Sequence, residues 1–315
     1  MTQRHQRLDF LAVALLVLLC ASWGLLQVAI KVAMPSVPPI MQAAIRSFGA
    51  TVLVYIWMAW KGEAVFARDG SLWLGIVAGL MFSAEFVFIY WGLMFTAASR
   101  AGIFIYMSPF VVALGSHQFV PGEYINRVQL SGLAAAFLGI IIAFKESLSF
   151  TDSMVLVGDS MMFLGAVLCG GTTVLIKASS LNDISPGKML FYLLSVSSVM
   201  LSLASFIFGE GQITTLTPLV ISSLAYQTIW VAFVTYLIWY WLVRHYPPSR
   251  LSSFTFLSPL FGLIAGALLL HEKVSPMLIL SLLLVGLGIY LVNKKKNRNT
   301  FDTTSQDLNI PHATK

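Results

Sequence analysis

Two ionisable residues stand far inside apolar stretches of this chain, Glu85 in GLMFSAEFVFIYW and Arg46 in IMQAAIRSFGA. A charge in an apolar medium is costly unless it finds a partner or lines a water-filled path. If the stretches are membrane helices running in opposite directions, Arg46 lies roughly 9 Å below one surface and Glu85 about 21 Å above the other, in a core of about 30 Å. The two depths coincide. The arithmetic predicts an Arg46–Glu85 pair facing a central cavity, available for substrate or proton handling. Gln27, Tyr90, Gln227 and Tyr240 are further polar side chains inside apolar runs, suited to substrate contacts or to hydrogen bonds between helices.

Ser108-Pro109 and Ser258-Pro259 carry a second kind of chemistry. A proline inside a helix removes one N–H and crowds the carbonyl four residues earlier, here Ile105 and Thr255. Pro109 and Pro259 are read as hinges, with the Ser108 and Ser258 hydroxyls beside the break. Catalytic motifs are missing. No G-x-x-x-x-G-K-[ST] phosphate loop occurs. His271-Glu272 opens like a zinc motif but Ser275 stands where the second histidine belongs, and Gly158-Asp159 lacks the glycine that intramembrane aspartyl proteases place two residues before the aspartate. Cys20 and Cys169 lie in apolar runs and read as packing residues. No enzyme activity, cofactor or metal is expected.

Such residues need elements to hold them, and composition says where those elements sit. The chain is 58% hydrophobic and 10% charged, with a mean hydropathy of +0.84. That is more apolar surface than a soluble core of this length can hide. The expected fold class is an all-α polytopic membrane protein. Apolar runs long enough to cross a bilayer fall near 10–33, 40–60, 71–95, 101–120, 128–144, 155–176, 188–208, 218–243, 251–270 and 275–292, which makes ten transmembrane helices. The first run is read as an uncleaved helix, because no small-residue cleavage site closes a short core. Trp57, Trp60 and Trp73 fall near helix ends, where indole rings anchor at the interface.

The net charge of +6 sits in the connections and not in a stripe, which excludes nucleic acid as a partner. With the N-terminus inside, one side collects Arg4, Arg7, Lys61, Arg68, Arg127, Lys177, Lys188, Arg244, Arg250 and the basic C-terminal cluster. The other holds Arg100, Lys145 and Lys273, with Lys31 near it. Both termini are therefore expected in the cytoplasm of a cell whose inner (plasma) membrane carries the protein. Residues 1–9 and the basic, polar 293–315 form its cytoplasmic ends. Glu123 and Glu272 fall at connections, where solvated or capping roles are expected, and Asp159 lies near a helix end.

The chain also repeats itself. SRAGIFIYMSPF at Ser99 and SRLSSFTFLSPL at Ser249 match at a constant offset of 150, as do Tyr90-Trp91 and Tyr240-Trp241. After a one-residue slip, Glu123/Glu272 and Gly139/Gly288 still correspond. The halves are 10–144 and 155–292, and five spans in each make the second copy enter the membrane from the opposite side. Two inverted five-helix repeats are a plan of secondary transporters, since related halves can exchange roles around a central site.

Trp23-Gly24, Arg46 with Phe48, the Ser-Arg-(x8)-Ser-Pro motifs and the glutamates beyond them resemble the EamA-type members of the drug/metabolite transporter superfamily. The resemblance covers roughly residues 10–292. It implies ten helices in two inverted repeats, a central cavity, and export or exchange of small metabolites such as amino acids, with Trp23 a candidate for substrate contact or coupling. Its alternative is proton-coupled efflux of drugs and cations. Cys169-Gly170 replaces Trp23-Gly24 in the second half, so the Trp23 contribution is not duplicated. The expected partners are a small-molecule substrate and the lipid bilayer, and the sequence leaves monomer and homodimer both open.

Overall fold

The computed structural model describes residues 8–64, 69–95, 104–143, 153–270 and 276–294. All regular structure among the described residues is helical, as a chain immersed in lipid requires, since helices satisfy their own backbone groups. The elements are α1 (Phe10–Ala33), α2 (Pro39–Trp60), α3 (Leu72–Phe95), α4 (Ser108–Phe119), α5 (Arg127–Ala143), α6 (Ser153–Ala178), α7 (Pro186–Ile207), α8 (Pro218–His245), α9 (Pro248–Phe254), α10 (Leu257–Leu270) and α11 (Pro276–Asn293). Among the described residues, six helices are long and apolar enough to cross a membrane: Phe10–Ile30, Pro39–Trp60, Leu72–Gly92, Ser153–Ala178, Pro186–Ile207 and Pro218–His245. Arg127–Ile142 and Leu283–Asn293 are shorter apolar helices. The outward faces are apolar, with Phe48, Ile56, Leu203 and Phe206 all exposed, which suits lipid contact. Trp60 and Trp73 stand exposed at helix ends, where interfacial anchors belong.

Start signals are chemical. Asp9 Oδ1 accepts from Ala12 N at 2.8 Å, Ser185 and Thr217 cap α7 and α8, and α2, α7 and α8 each open with a proline whose missing N–H costs nothing there.

The prolines expected inside helices do not kink continuous ones. Residues 251–270 form two helices with a turn between them, and Pro259 lies in the first turn of the second. Pro109 likewise occupies the first turn of α4, after a turn at Tyr106 and Met107. The backbone there bonds over three residues, Thr255 N to Ser252 O (3.1 Å), Ser258 N to Thr255 O (3.0 Å) and Met107 N to Phe104 O (3.0 Å). A proline that cannot donate is tolerated where the chain has already broken. The Ser99-Arg100 copy of the motif, Lys145, Glu272 and Lys273 lie outside the described residues.

Packing runs mainly between the two parts of the chain. α1 packs on α10 and α8, α2 on α7 and α8, α3 on α6 and α7, α4 on α6, and α5 on α11. Close approaches recur in pairs. A Cβ at Gly24 would sit 2.7 Å from Ser258 O and 2.8 Å from Phe261 Cβ, and one at Gly170 would sit 2.9 Å from Ser108 O and 2.7 Å from Val111 Cβ. Gly132 meets Gly288, and Gly139 meets Ser281, in the same reciprocal way. Small residues let these helices touch backbone to backbone.

The ends of α2 and α7 show the same reciprocity. Gly62 (φ 69°) and Gly209 (φ 64°) close the two helices, with Glu63 N bonding to Met58 O and Glu210 N to Ser205 O. Each following glutamate then reaches the start of the other helix. Glu210 accepts from Ile40 N (2.9 Å), Met41 N (2.8 Å) and Ser205 Oγ (2.8 Å), and Glu63 accepts from the Ser185 hydroxyl that caps α7.

Candidate substrate site

The middle of the bundle holds a ladder of aromatic rings. Trp239 and Trp23 meet edge to face at 5.4 Å, Trp23 and Tyr236 at 6.4 Å, Tyr236 and Phe82 at 5.9 Å, Phe82 and Phe86 at 5.0 Å, and Phe86 and Tyr90 stack at 6.4 Å. Phe82, Phe86 and Tyr90 recur every fourth residue of α3, so they share one face of the helix. Trp23 comes from α1, and Tyr236 and Trp239 from α8, where the Trp23 indole donates to Thr235 Oγ1 at 3.0 Å. Thr235 ends a stretch, Tyr226–Thr235, in which α8 widens to i→i+5 bonding. Tyr226 and Trp230, from the same stretch, bond Ser22 of α1.

Arg46 enters this ladder from α2. Its guanidinium lies over the Phe86 ring, 4.5 Å from the centroid, and the residue is 2% exposed. Nε and Nη2 are buried without a hydrogen-bond partner. The expected direct ion pair is not formed: no carboxylate oxygen among the described residues lies within 4.0 Å of the guanidinium. The physical reason is the intervening choice of partner, the face of Phe86 one residue beyond Glu85, which attracts a planar cation. Glu85 is also buried, 8% exposed, with the Cys169 thiol beside its carboxyl and Ser108 beside that thiol. Arg46 and Glu85 remain electrostatic neighbours of one another and of Tyr236, and Glu85 of Tyr240.

The sequence candidates thus divide. Glu85, Arg46, Tyr90, Tyr240 and Trp23 converge, with Ser108 at the edge. Ser258, from the other half, faces Tyr106 and Cys20, whose thiol lies 3.2 Å from Phe254 O. Gln227 lies apart in an amide cluster, donating to Gln42 Oε1 (3.0 Å) and Ser223 Oγ (3.3 Å) while Gln42 donates to Val37 O (2.8 Å). This arrangement ties α8 to α2 and α1. Gln27 lies on α1, and its side chain is outside the described ones. Sequence reasoning missed Phe82, Phe86, Tyr236 and Cys169 as site residues. The fourfold spacing on α3, and Cys169 standing where the first half has Trp23, were the available signals.

One end of the bundle is closed by polar contacts. The Lys188 ammonium meets Asp69 Oδ2 at 2.7 Å, and with the Ser71 hydroxyl it holds the Asp69 carboxyl well below the usual carboxylate range. Lys177 donates to the carbonyls of Val243 (2.6 Å) and Arg244 (3.0 Å), and Tyr246 to Asp9 (3.0 Å). Glu123, expected in a solvated or capping role, is buried and accepts from Ser249 Oγ (3.4 Å) in the first turn of α9, and Asp159 is likewise buried. A groove of about 600 Å³ opens at the other end between α2 and α7, lined by Met41, Phe48, Phe206 and Glu210, and shares no residue with the aromatic site.

Comparison with known proteins places this architecture. A crystal structure superposes with a TM-score of 0.77 at 15% identity, covering 88% of this chain and 94% of the other, so the fold is shared. The chain is 25% identical over 270 residues to the uncharacterized transporter YoaV of Bacillus subtilis, covering 85% of this chain and 92% of the relative. It is 26% identical over 290 residues to a protein of Escherichia coli described as "Probable amino-acid metabolite efflux pump", covering 88% and 93%. The pseudopaline exporter CntI of Pseudomonas aeruginosa is 29% identical over 188 residues, covering 60% and 64%. The model of the EamA-like transporter family matches residues 10–145 and 156–294, and with the helical bundle and its apolar exterior this makes the chain a membrane transporter belonging to that family.

Proposed function

We propose that the chain is a secondary transporter that exports or exchanges small metabolites, amino acids among them, by alternating access between two inverted five-helix repeats, 10–144 and 155–292. The supporting observation is the reciprocity of the contacts between the halves. Gly24 against Ser258 and Phe261 repeats as Gly170 against Ser108 and Val111, with the second partners offset by 150. The Gly-Glu closures of α2 and α7 each reach the other helix's start, at opposite ends of the bundle. A pair of equivalent locks, one per end, is what a carrier that opens alternately to two sides needs.

In this reading the broken segments at 106–107 and 255–256 are the hinges, and ten spans include the two broken ones. The aromatic ladder with Arg46 and Glu85 is the substrate site, buried in the state seen here. The basic residues put the end carrying Asp69 and Lys188 in the cytoplasm, with the chain in a bacterial inner membrane. Energy comes from an ion gradient or from the exchanged substrate, and the chain performs no hydrolysis. The names of relatives that move amino-acid metabolites support the substrate class. Inside-out vesicles containing the protein, given a panel of radiolabelled amino acids and organic cations, test the reading. Amino acids should accumulate above vesicles without it. No accumulation of any panel member would overturn transport, and accumulation of organic cations alone would overturn the substrate class.

A further inference from the structure

The orphaned nitrogens of Arg46 point to what the site receives. Nε and Nη2 are the two donors along one edge of the guanidinium, the edge that grips a carboxylate with two parallel hydrogen bonds. The ring of Phe86 covers one face and leaves that edge without a partner. A cation kept purely to bind helices together would have its donors satisfied, because buried donors left open are costly. Glu85, of opposite sign, lies close enough to interact with Arg46 and yet forms no ion pair with it.

We propose that this buried cluster recognises a zwitterion: the Arg46 edge takes a carboxylate, Glu85 takes an ammonium group, and the ladder of Trp23, Tyr236, Phe82 and Phe86 packs against an apolar or aromatic remainder. The substrate class is then the free α-amino acid or a close analogue with both charged ends, which rests on the transporter reading above and narrows it. The two charges are separate because each waits for one end of the ligand. A cationic drug without a carboxylate would leave the Arg46 edge unpaired and is disfavoured.

Binding to the purified protein in nanodiscs tests this, with radiolabelled L-phenylalanine, L-leucine and L-threonine as probes. Phenethylamine, which lacks the carboxylate, and 3-phenylpropionate, which lacks the amine, serve as competitors. At least one amino acid should bind, and each competitor should be at least tenfold weaker than L-phenylalanine. Arg46→Gln should weaken L-phenylalanine at least tenfold and erase its advantage over phenethylamine, while its advantage over 3-phenylpropionate persists. Glu85→Gln should do the converse. Arg46→Lys, which keeps the charge without the fork, should fall between parent and Arg46→Gln. If Arg46→Gln does not fold, the competitor series on the parent and Arg46→Lys carry the test. The proposal is overturned if no amino acid binds, if phenethylamine binds as well as L-phenylalanine, or if Arg46→Gln and Arg46→Lys both leave affinity unchanged. Vesicle uptake of organic cations that survives Arg46→Gln would sink the zwitterion and leave transport standing.

Discussion

Glu210→Ala removes the acceptor that joins the two halves at the start of α2. Two backbone donors, Ile40 N at 2.9 Å and Met41 N at 2.8 Å, lose a charged partner; Ile40 is 3% exposed, while the Met41 side lies on the groove and is open to water. Hydrogen bonds to a charged group contribute about 1.5–3 kcal/mol each, and loss of a helix cap costs about 0.5–2 kcal/mol. Discounting for overlap and for water in the groove, local opening of the first turn of α2 should become easier by about 2 to 2.8 kcal/mol, or roughly 30- to 100-fold at 1.4 kcal/mol per decade. Hydrogen exchange of the segment covering residues 38–48 reads this directly. Its slowest amides should exchange 30- to 100-fold faster in Glu210→Ala, and by a smaller factor in Glu210→Gln, whose amide oxygen still accepts. Glu63→Ala should change the same segment little and instead loosen the start of α7, where Ser185 Oγ continues to accept from Lys188 N at 3.2 Å. Unchanged exchange over 38–48 in Glu210→Ala would refute the lock.

Gly24→Ala and Gly170→Ala place a methyl group within 3 Å of atoms across the α1–α10 and α4–α6 contacts, so each should destabilise by about 1–3 kcal/mol in thermal unfolding, while Gly286→Ala, with open space around it, should not. Pro109→Ala and Pro259→Ala restore an N–H beside the turns and favour a continuous helix, so the protein should fold and transport more slowly. Unchanged rates would reduce both prolines to packing. The Asp69–Lys188 contact has a depressed carboxyl pKa, so its contribution is present above the usual carboxylate value of about 4 and fades as pH falls below it. The stability gap between parent and Asp69→Asn should therefore be constant from about pH 5 to 8 and shrink below about pH 4; a gap that closes between pH 7 and 5 would contradict this assignment.

Composition, spacing and the repeat were legible because each is written in the chain itself. The 150-residue offset needs no geometry, and depth arithmetic brought Arg46 and Glu85 to one level. Azimuth was not legible. In apolar runs with no polar face, nothing tells which side of α2 or α3 turns inward, so Phe86 was not foreseen as the partner that holds Arg46. Nor could the prolines be placed, since a kink and a break share one sequence signature, and only the three-residue bonding around Thr255 distinguishes them. The Glu210 and Glu63 locks join residues far apart in sequence, and neither glutamate sits in a recognisable motif beyond the glycine before it. Gln227 looked like a substrate contact because an amide in an apolar helix serves binding and helix association equally well.

The inversion of the two repeats is the claim on which the rest depends, and labelling of single cysteines from outside the cell measures it. In a variant lacking Cys20 and Cys169, cysteines placed at Ser36 and Gly211 should react with an impermeant thiol reagent in intact cells. Those placed at Gly62 and Ser180 should react only after the membrane is opened. Ser36 and Gly211 reacting on opposite sides, or all four sites labelling in the reversed pattern, would contradict the inverted arrangement or its orientation and remove the basis for two equivalent locks facing the two sides of the membrane.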